Sequence, residues 1–258
     1  KLDGIIEGTS DINIDLVQKN SSYTRGFLAL EYLLFSEDMD DATFVQHLVE
    51  HPETSNRRCL MAAAIAEFSS LASEELVSAW TESTVPYLDL YLGTDDTEGV
   101  YASDKDGIDA LFNALLNHID DILELRLADP VGLTNPDLQP NSELISTRLS
   151  GHGRQDILDN LDGIKLLLEG PAENGSTIGV GALIKGRKGS LYDTMLSELE
   201  TARRAVEAIP EPLNESIISN TDSVIHAYYA LKNFHVRLGS DGATLLGISL
   251  SVNEVDND

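Results

Sequence analysis

The chain has 258 residues, of which 44 are acidic and 17 are basic, giving a formal net charge of −27. This excess of negative charge repels phosphate backbones and anionic lipid headgroups, so nucleic acid is excluded as an expected partner. The sequence has no apolar run of the roughly 20 residues that a transmembrane helix needs, and its one cysteine cannot form an internal disulfide.

The first informative segment is the apolar run at residues 25–35, which contains one acidic residue, Glu31. In a helix, position 28 and Glu31 lie three apart on one face, the spacing at which a histidine and a glutamate share a metal or a proton. Position 28 is Leu28, which ligates nothing. A carboxylate among apolar residues must be paired or neutralised. Glu31 is therefore the leading candidate site residue, and a purely structural buried ion pair is the alternative. Its apolar neighbours are Phe27, Leu30, Leu33 and Leu34.

The next segment, residues 47–51, matches the HxxEH pattern of a zinc site. His47 and His51 lie one helical turn apart, and Glu50 stands in the position of a general base. Pro52 follows directly, so the helix is expected to end by His51, and an exposed helix end is the alternative interpretation.

Helical periodicity dominates the rest of the chain. Apolar residues three and four apart run from Phe112 to Leu123 and predict a helix of a bundle. The same pattern is found at residues 58–80, 157–168, 191–209 and 224–238. Pro210 and Pro212 are expected to end the fourth of these five segments.

Breaker residues and composition divide the chain into two parts. We expect an all-α fold of two antiparallel helical-bundle lobes, residues 1–128 and 142–258, joined by a Pro- and Gly-rich connector at 129–141. The glycine-rich segment 170–189 is expected to be a loop between helices. Residues 243–252 are apolar and partly β-branched, which predicts a short extended segment.

Residues 26–35, GFLALEYLLF, resemble the GxHxxE signature of the imelysin-like family, which includes imelysin peptidase and iron-regulated protein A-like members. Leu28 replaces the signature histidine. The resemblance continues through residues 56–59, the helix up to Trp80, the block at 156–164 and residues 246–250 with the acidic tail. Single positions that match are Glu143 and Ser146. It spans nearly the whole chain and implies that helices preceding this region in the family are absent from it.

The resemblance also implies where a site lies. In the family the motif faces a pocket between two lobes, which would place Gly26, Leu28 and Glu31 beside that pocket. Glycine at position 26 also allows another backbone to approach closely. The candidates that would face Glu31 from the second lobe are Glu143, His152, Asp156 and Asn160. For Asp156 the alternative is a carboxylate at a helix N-terminus, and for His152 a surface histidine.

By resemblance, the function is that of a cell-envelope protein of bacterial iron uptake, exported to the periplasm or anchored to the outer membrane through a lipidated leader outside this chain. Expected ligands are iron or another divalent metal, an iron-containing ligand or iron-uptake components, with Glu31 as a metal ligand because hard cations prefer oxygen. Catalytic zinc needs about three protein ligands, so without the motif histidine we expect binding without proteolysis. A zinc metallopeptidase using His47, Glu50 and His51, and a non-catalytic protein-binding scaffold, are the alternatives.

Overall fold

A computed structural model describes residues 1–93, 99–134, 139–171 and 179–250. The protein is 74% helical, and these ranges contain no strand. The predicted all-α fold is therefore confirmed. Within the same ranges, no helix combines the length and apolar character needed to cross a membrane.

Thirteen α-helices occur in the described part of the chain. They are α1 (Leu2–Ile6), α2 (Ile14–Lys19), α3 (Phe27–Leu34), α4 (Asp41–Glu50), α5 (Pro52–Thr81), α6 (Tyr87–Leu92), α7 (Asp104–Asp121), α8 (Gly153–Glu169), α9 (Gly181–Arg187), α10 (Gly189–Glu207), α11 (Leu213–Ser219), α12 (Thr221–Arg237) and α13 (Ala243–Leu246). Two π-helical segments, Ile122–Ala128 and Leu238–Gly242, continue α7 and α12, and short 3₁₀ turns lie at Ser22–Thr24 and Ser142–Leu144. The five segments predicted from periodicity are all helical.

Several helices begin where a side chain satisfies a free backbone N–H group. The side-chain oxygen of Asn13 accepts from the N–H of Leu16 at the start of α2, and that of Asp40 accepts from the N–H of Thr43 at the start of α4. Pro52 is the first residue of α5, where its missing N–H is not needed. These caps stabilise the helix starts through contacts that are local in sequence.

Contacts divide the chain into two compact units, Lys1–Val100 and Tyr101–Asp258. In the first unit, the long helix α5 packs against α1, α2, α3, α4 and α6. Its buried residues, Ser55, Met61, Ala64 and Ile65, all lie in its first half. Met61, Ala64 and Ile65 form the core of this unit together with apolar residues of other helices, among them Val17 and Leu33.

The second unit is built on α10, which packs against α8, α9 and α12. The helix α12 in turn packs against α7 and its π-helical continuation. Fully buried Phe112, Leu161, Met195 and Phe234 from four helices meet in one core. This division differs from the predicted one, which placed α7 in the first lobe and the boundary at 129–141. Because the apolar stripe of α7 packs on α12, that helix belongs to the second unit.

Two expectations about irregular segments are wrong in part. Residues 243–246 were expected to be extended but form α13, because Ala243 and Leu246 are buried and the backbone continues helically from α12. Residues 247–250 have no regular secondary structure, and 251–252 lie outside the described residues. The expected loop at 170–189 contains α9 and the start of α10; a Cβ on Gly181 would lie 2.6 Å from Tyr192 Cε2, so close packing requires this glycine. Residues 172–178 lie outside the described residues.

Candidate functional site

The helix that carries the motif, α3, starts at a glycine with an unusual backbone. Gly26 is the N-cap residue and has φ +85°, a conformation that residues with a side chain rarely adopt. No atom lies within 4 Å of the position that a Cβ would occupy. The backbone turn therefore requires glycine here, and the expected close approach of another backbone is not found.

Glu31 is buried, with 9% of its surface exposed, and lies on α3 with Ala29 and Leu33, which are also buried. The surroundings differ from the expected apolar shell, because Phe27 is 82% and Leu28 54% exposed. Leu34 is exposed as well. The motif helix thus places a buried carboxylate beneath a surface of exposed apolar side chains.

Leu28 lines a cavity of about 420 Å³, which we call the Leu28 pocket. It is lined by Lys1, Leu2, Asp3, Tyr23, Thr24, Leu28, Ala29 and Tyr32. The hydroxyl of Tyr32 donates to Asp3 Oδ2 at 2.6 Å. This hydrogen bond, together with burial, raises the pKa of Tyr32. The pocket therefore combines apolar walls with the ammonium group of Lys1 and one carboxylate, Asp3, that is paired with Tyr32. Sequence reasoning missed Asp3 and Tyr32, which meet only through the packing of α1 beside α3.

Two arginines of α5 hold the ends of neighbouring helices. Arg58 donates from Nε to the carbonyl of Leu33 at 2.7 Å and from Nη2 to the carbonyl of Tyr32, both in the last turn of α3. Arg57 donates to the carbonyls of Ile5 and Ile6 at the end of α1, at 2.9 and 2.8 Å. Cationic side chains at helix C-termini donate hydrogen bonds to the free carbonyl groups and interact favourably with the partial negative charge of the helix end. Helix capping is therefore the structural role of Arg57 and Arg58 within residues 56–59.

The HxxEH segment has the predicted helix end. The helix α4 stops at Glu50, and His51 is its C-cap residue. The imidazoles of His47 and His51 lie 4.2 Å apart between ring centroids, and His51 Nδ1 is 2.9 Å from the carbonyl oxygen of His47. Glu50 accepts a hydrogen bond from Gln46. No group of three or more His, Cys, Asp or Glu residues in the described ranges is arranged to hold a metal ion.

The four candidates expected opposite Glu31 lie in the second unit, so a pocket shared with Glu31 stays a prediction. Asp156 Oδ2 accepts from the hydroxyl of Thr147 at 2.6 Å, and its backbone carbonyl accepts from Asn160 Nδ2 at 2.5 Å. Glu143 lies in a 3₁₀ turn. His152 is exposed at the start of α8.

The glycine that follows His152 is not a flexible joint. Gly153 is buried, and a Cβ there would lie 3.0 Å from Ile145 and 3.2 Å from Leu213. Tight packing therefore holds the start of α8 in place.

Comparison with known proteins adds one result. The family model described as Imelysin, a peptidase family, matches residues 2–233, which is most of the chain. Comparisons with curated proteins and with solved structures gave no significant match. The match covers nearly all of the first compact unit, with the motif helix, and most of the second, so the chain belongs to the imelysin family.

Proposed function

We propose that this protein is a non-proteolytic binding protein of bacterial iron uptake, located in the periplasm or anchored to the outer membrane. Family membership supports the link to iron, through the resemblance described above. We further propose that the Leu28 pocket takes part in binding, with an iron-containing ligand that has an apolar part and a hydrogen-bond donor or cation for Asp3.

The observation that carries this proposal is the position of Leu28. It stands where the family signature has histidine, is about half exposed, and forms part of the wall of a cavity of about 420 Å³. A leucine side chain cannot ligate a metal, but it provides apolar contact area for an organic ligand. The volume lies within the range of small-molecule sites, and Lys1 together with the pair of Asp3 and Tyr32 gives the largely apolar pocket a few polar groups for orientation.

The geometry of the HxxEH segment favours binding over peptidase chemistry. A catalytic zinc ion takes about three protein ligands and keeps one position for water. His51 directs Nδ1 at the carbonyl oxygen of His47, and Glu50 is engaged by Gln46. The segment therefore supplies at most two of the ligands that the alternative, a zinc metallopeptidase, requires.

Calorimetric titration tests the proposal, using Fe³⁺–citrate, haem, Fe²⁺ and Zn²⁺ with the purified protein. We expect binding of at least one iron species that weakens about tenfold or more in Leu28→Asp. The matched control is Leu125→Asp, which has nearly the same exposure, 56% against 54%, but lies in the other unit. Failure of all iron species to bind, or equal losses in both variants, would contradict the proposal.

The peptidase alternative is tested separately with denatured casein. We expect no proteolysis that is sensitive to a metal chelator. Chelator-sensitive cleavage that disappears in His51→Ala would instead support the alternative.

The exposed apolar side chains of α3 favour the second alternative, a protein-binding scaffold. Tyr23 is 88% exposed, and Phe27 and Leu34 are exposed on the helix that follows it. Exposed apolar clusters often mark protein interaction sites. The scaffold alternative predicts that Phe27→Ser abolishes capture of an envelope protein from the iron-uptake machinery and leaves the calorimetric titrations with iron unchanged. Binding at the Leu28 pocket predicts instead that Leu28→Asp loses the heat of iron binding.

A further inference from the structure

The second unit contains an apolar groove on α8 that lies apart from the motif helix and includes Asn160 and Gly163 of the block 156–164. One end is a cavity of about 430 Å³ with Leu111 and Ala114 of α7 and Ile164 and Leu167 of α8 in its lining. A second cavity of about 340 Å³ shares Gly163 and Leu167 and continues past the end of α8 to Val180. We call this continuous surface the α8 groove.

The glycine at the junction of the two cavities has no explanation within the fold. Gly163 lies in the middle of α8, where glycine costs roughly 1 kcal/mol relative to alanine. Its backbone is ordinary helix, and no atom lies within 4 Å of the position that a Cβ would take. Gly181 and Gly153, by contrast, are crowded by their neighbours. An exposed glycine over open space in a groove allows an external backbone to approach α8 closely.

The length and the charge of the α8 groove indicate which kind of partner could bind there. Residues 160–169 of α8 extend for roughly 14 Å, which corresponds to about three turns of a partner helix. Of the described residues that line the two cavities, Asp159 is the only carboxylate and none is lysine or arginine. Asp159 is exposed at the same end as His118, and the whole chain carries a net charge of −27.

We propose that the α8 groove binds an amphipathic helix of a partner protein that has an apolar face and basic flanking residues. The helix inserts apolar side chains at spacings of three and four between α7 and α8. Its backbone crosses α8 at Gly163, and a lysine or arginine meets Asp159. A second copy of this chain is disfavoured as occupant because two bodies of charge −27 repel each other.

The test measures fluorescence anisotropy with a labelled helical peptide of about 14 residues that carries leucines at spacings of three and four and lysines beside them. We expect Gly163→Leu to weaken binding at least tenfold, since the new side chain fills the groove. Gly186→Leu is the matched control, because Gly186 is also an exposed helical glycine with no atom within 4 Å but lies outside the groove. Asp159→Asn is expected to weaken binding about threefold, and thermal unfolding verifies that each variant is folded.

Two peptide controls separate groove binding from general attraction to an acidic protein. A peptide with the same composition but scrambled leucine positions, and one with glutamate in place of lysine, should bind at least tenfold more weakly. The proposal is overturned if the scrambled peptide binds equally well, or if Gly163→Leu binds like the wild type. It is also overturned if ultracentrifugation shows a dimer that Gly163→Leu dissociates, since a second copy would then fill the groove.

Discussion

Arg58 Nε donates to the backbone carbonyl oxygen of Leu33 at 2.7 Å, so the long helix α5 holds the C-terminal end of the motif helix α3. The guanidinium also lies 5.5 Å from the ring centroid of Tyr32 and 5.3 Å from that of Phe44. One side chain thus combines charge-assisted hydrogen bonds with contacts to two aromatic rings. The orientation of the helix that carries Glu31 depends on this arginine.

We therefore expect Arg58→Met to lower the free energy of unfolding by about 2 kcal/mol, because the partly buried carbonyl of Leu33 and the exposed carbonyl of Tyr32 both lose a charged donor. Urea denaturation followed by circular dichroism measures this change. Arg204→Met is the control, since Arg204 is exposed and its hydrogen bonds stay within α10. Equal stability of the two variants would show that Arg58 does not hold α3.

The hydrogen bond between Tyr32 and Asp3 gives a second prediction. Tyr32→Phe removes the hydroxyl that donates to Asp3 and should destabilise the protein by about 1 kcal/mol. Tyr229→Phe, at an exposed tyrosine of α12, should change stability by much less. Thermal unfolding of both variants provides the comparison, and a larger shift for Tyr229→Phe would be the contrary result.

Glycine replacements in the second unit should have opposite effects at two positions. Gly163→Ala is expected to stabilise by up to about 1 kcal/mol, because alanine favours the helix and meets no atom. Gly181→Ala is expected to destabilise, since its Cβ would lie 2.6 Å from Tyr192 Cε2 and 2.7 Å from the carbonyl oxygen of Leu168. The midpoints of urea denaturation measure the stability of both variants. A more stable Gly181→Ala protein would show that the residues packed around α9 can shift to accommodate a methyl group.

His235 of α12 predicts how stability depends on pH. Its Nε2 lies 3.3 Å from Asp120 Oδ1, and burial lowers its pKa, although Asp120 acts in the opposite direction and nearby Lys232 lowers the pKa further. On acidification, His235 is therefore protonated near pH 6.5 in the unfolded chain but only at a lower pH in the folded protein. Stability should fall as the pH decreases below about 6.5. The raised pKa of Asp120 acts in the opposite sense, adding stability as acidification approaches its own range.

The variant His235→Gln isolates this contribution. Urea unfolding at about pH 8, 7 and 6 should show a smaller loss of stability on acidification than in the wild type. His226→Gln changes an exposed histidine on the same helix and should keep the wild-type slope. Identical slopes for all three proteins would mean that His235 does not contribute.

A long helix such as α7 could be predicted because an apolar stripe with the helical period is buried along it. Phe112, Leu115 and Ile119 repeat with the helical period, and all three are buried in the structure. Residues 243–246 could not be predicted, because four residues are too short to show a period and their helix depends on continuation from α12. The boundary at 129–141 was placed from local breaker residues, whereas the compact units follow the packing of α7 on α12.

The candidate site was less accessible to sequence reasoning. The position of Glu31 in an apolar run indicated a buried carboxylate, and Glu31 is buried. Phe27 and Leu28 lie on the same short helix but are exposed. Their exposure depends on which other helices pack against α3, and the local sequence does not indicate this. The partners of Arg58 are carbonyls 25 and 26 residues away in sequence, so its role appears only in three dimensions.

The uneven burial along α5 has a consequence for its dynamics. This helix is continuous over Pro52–Thr81, yet its buried side chains end at Ile65. Amide hydrogens held only by the helix ladder exchange with solvent through local opening, whereas those beneath packed side chains need a larger unfolding event. Deuterium uptake should therefore rise along a single uninterrupted helix, with slow exchange around Met61 and progressively faster exchange toward Trp80.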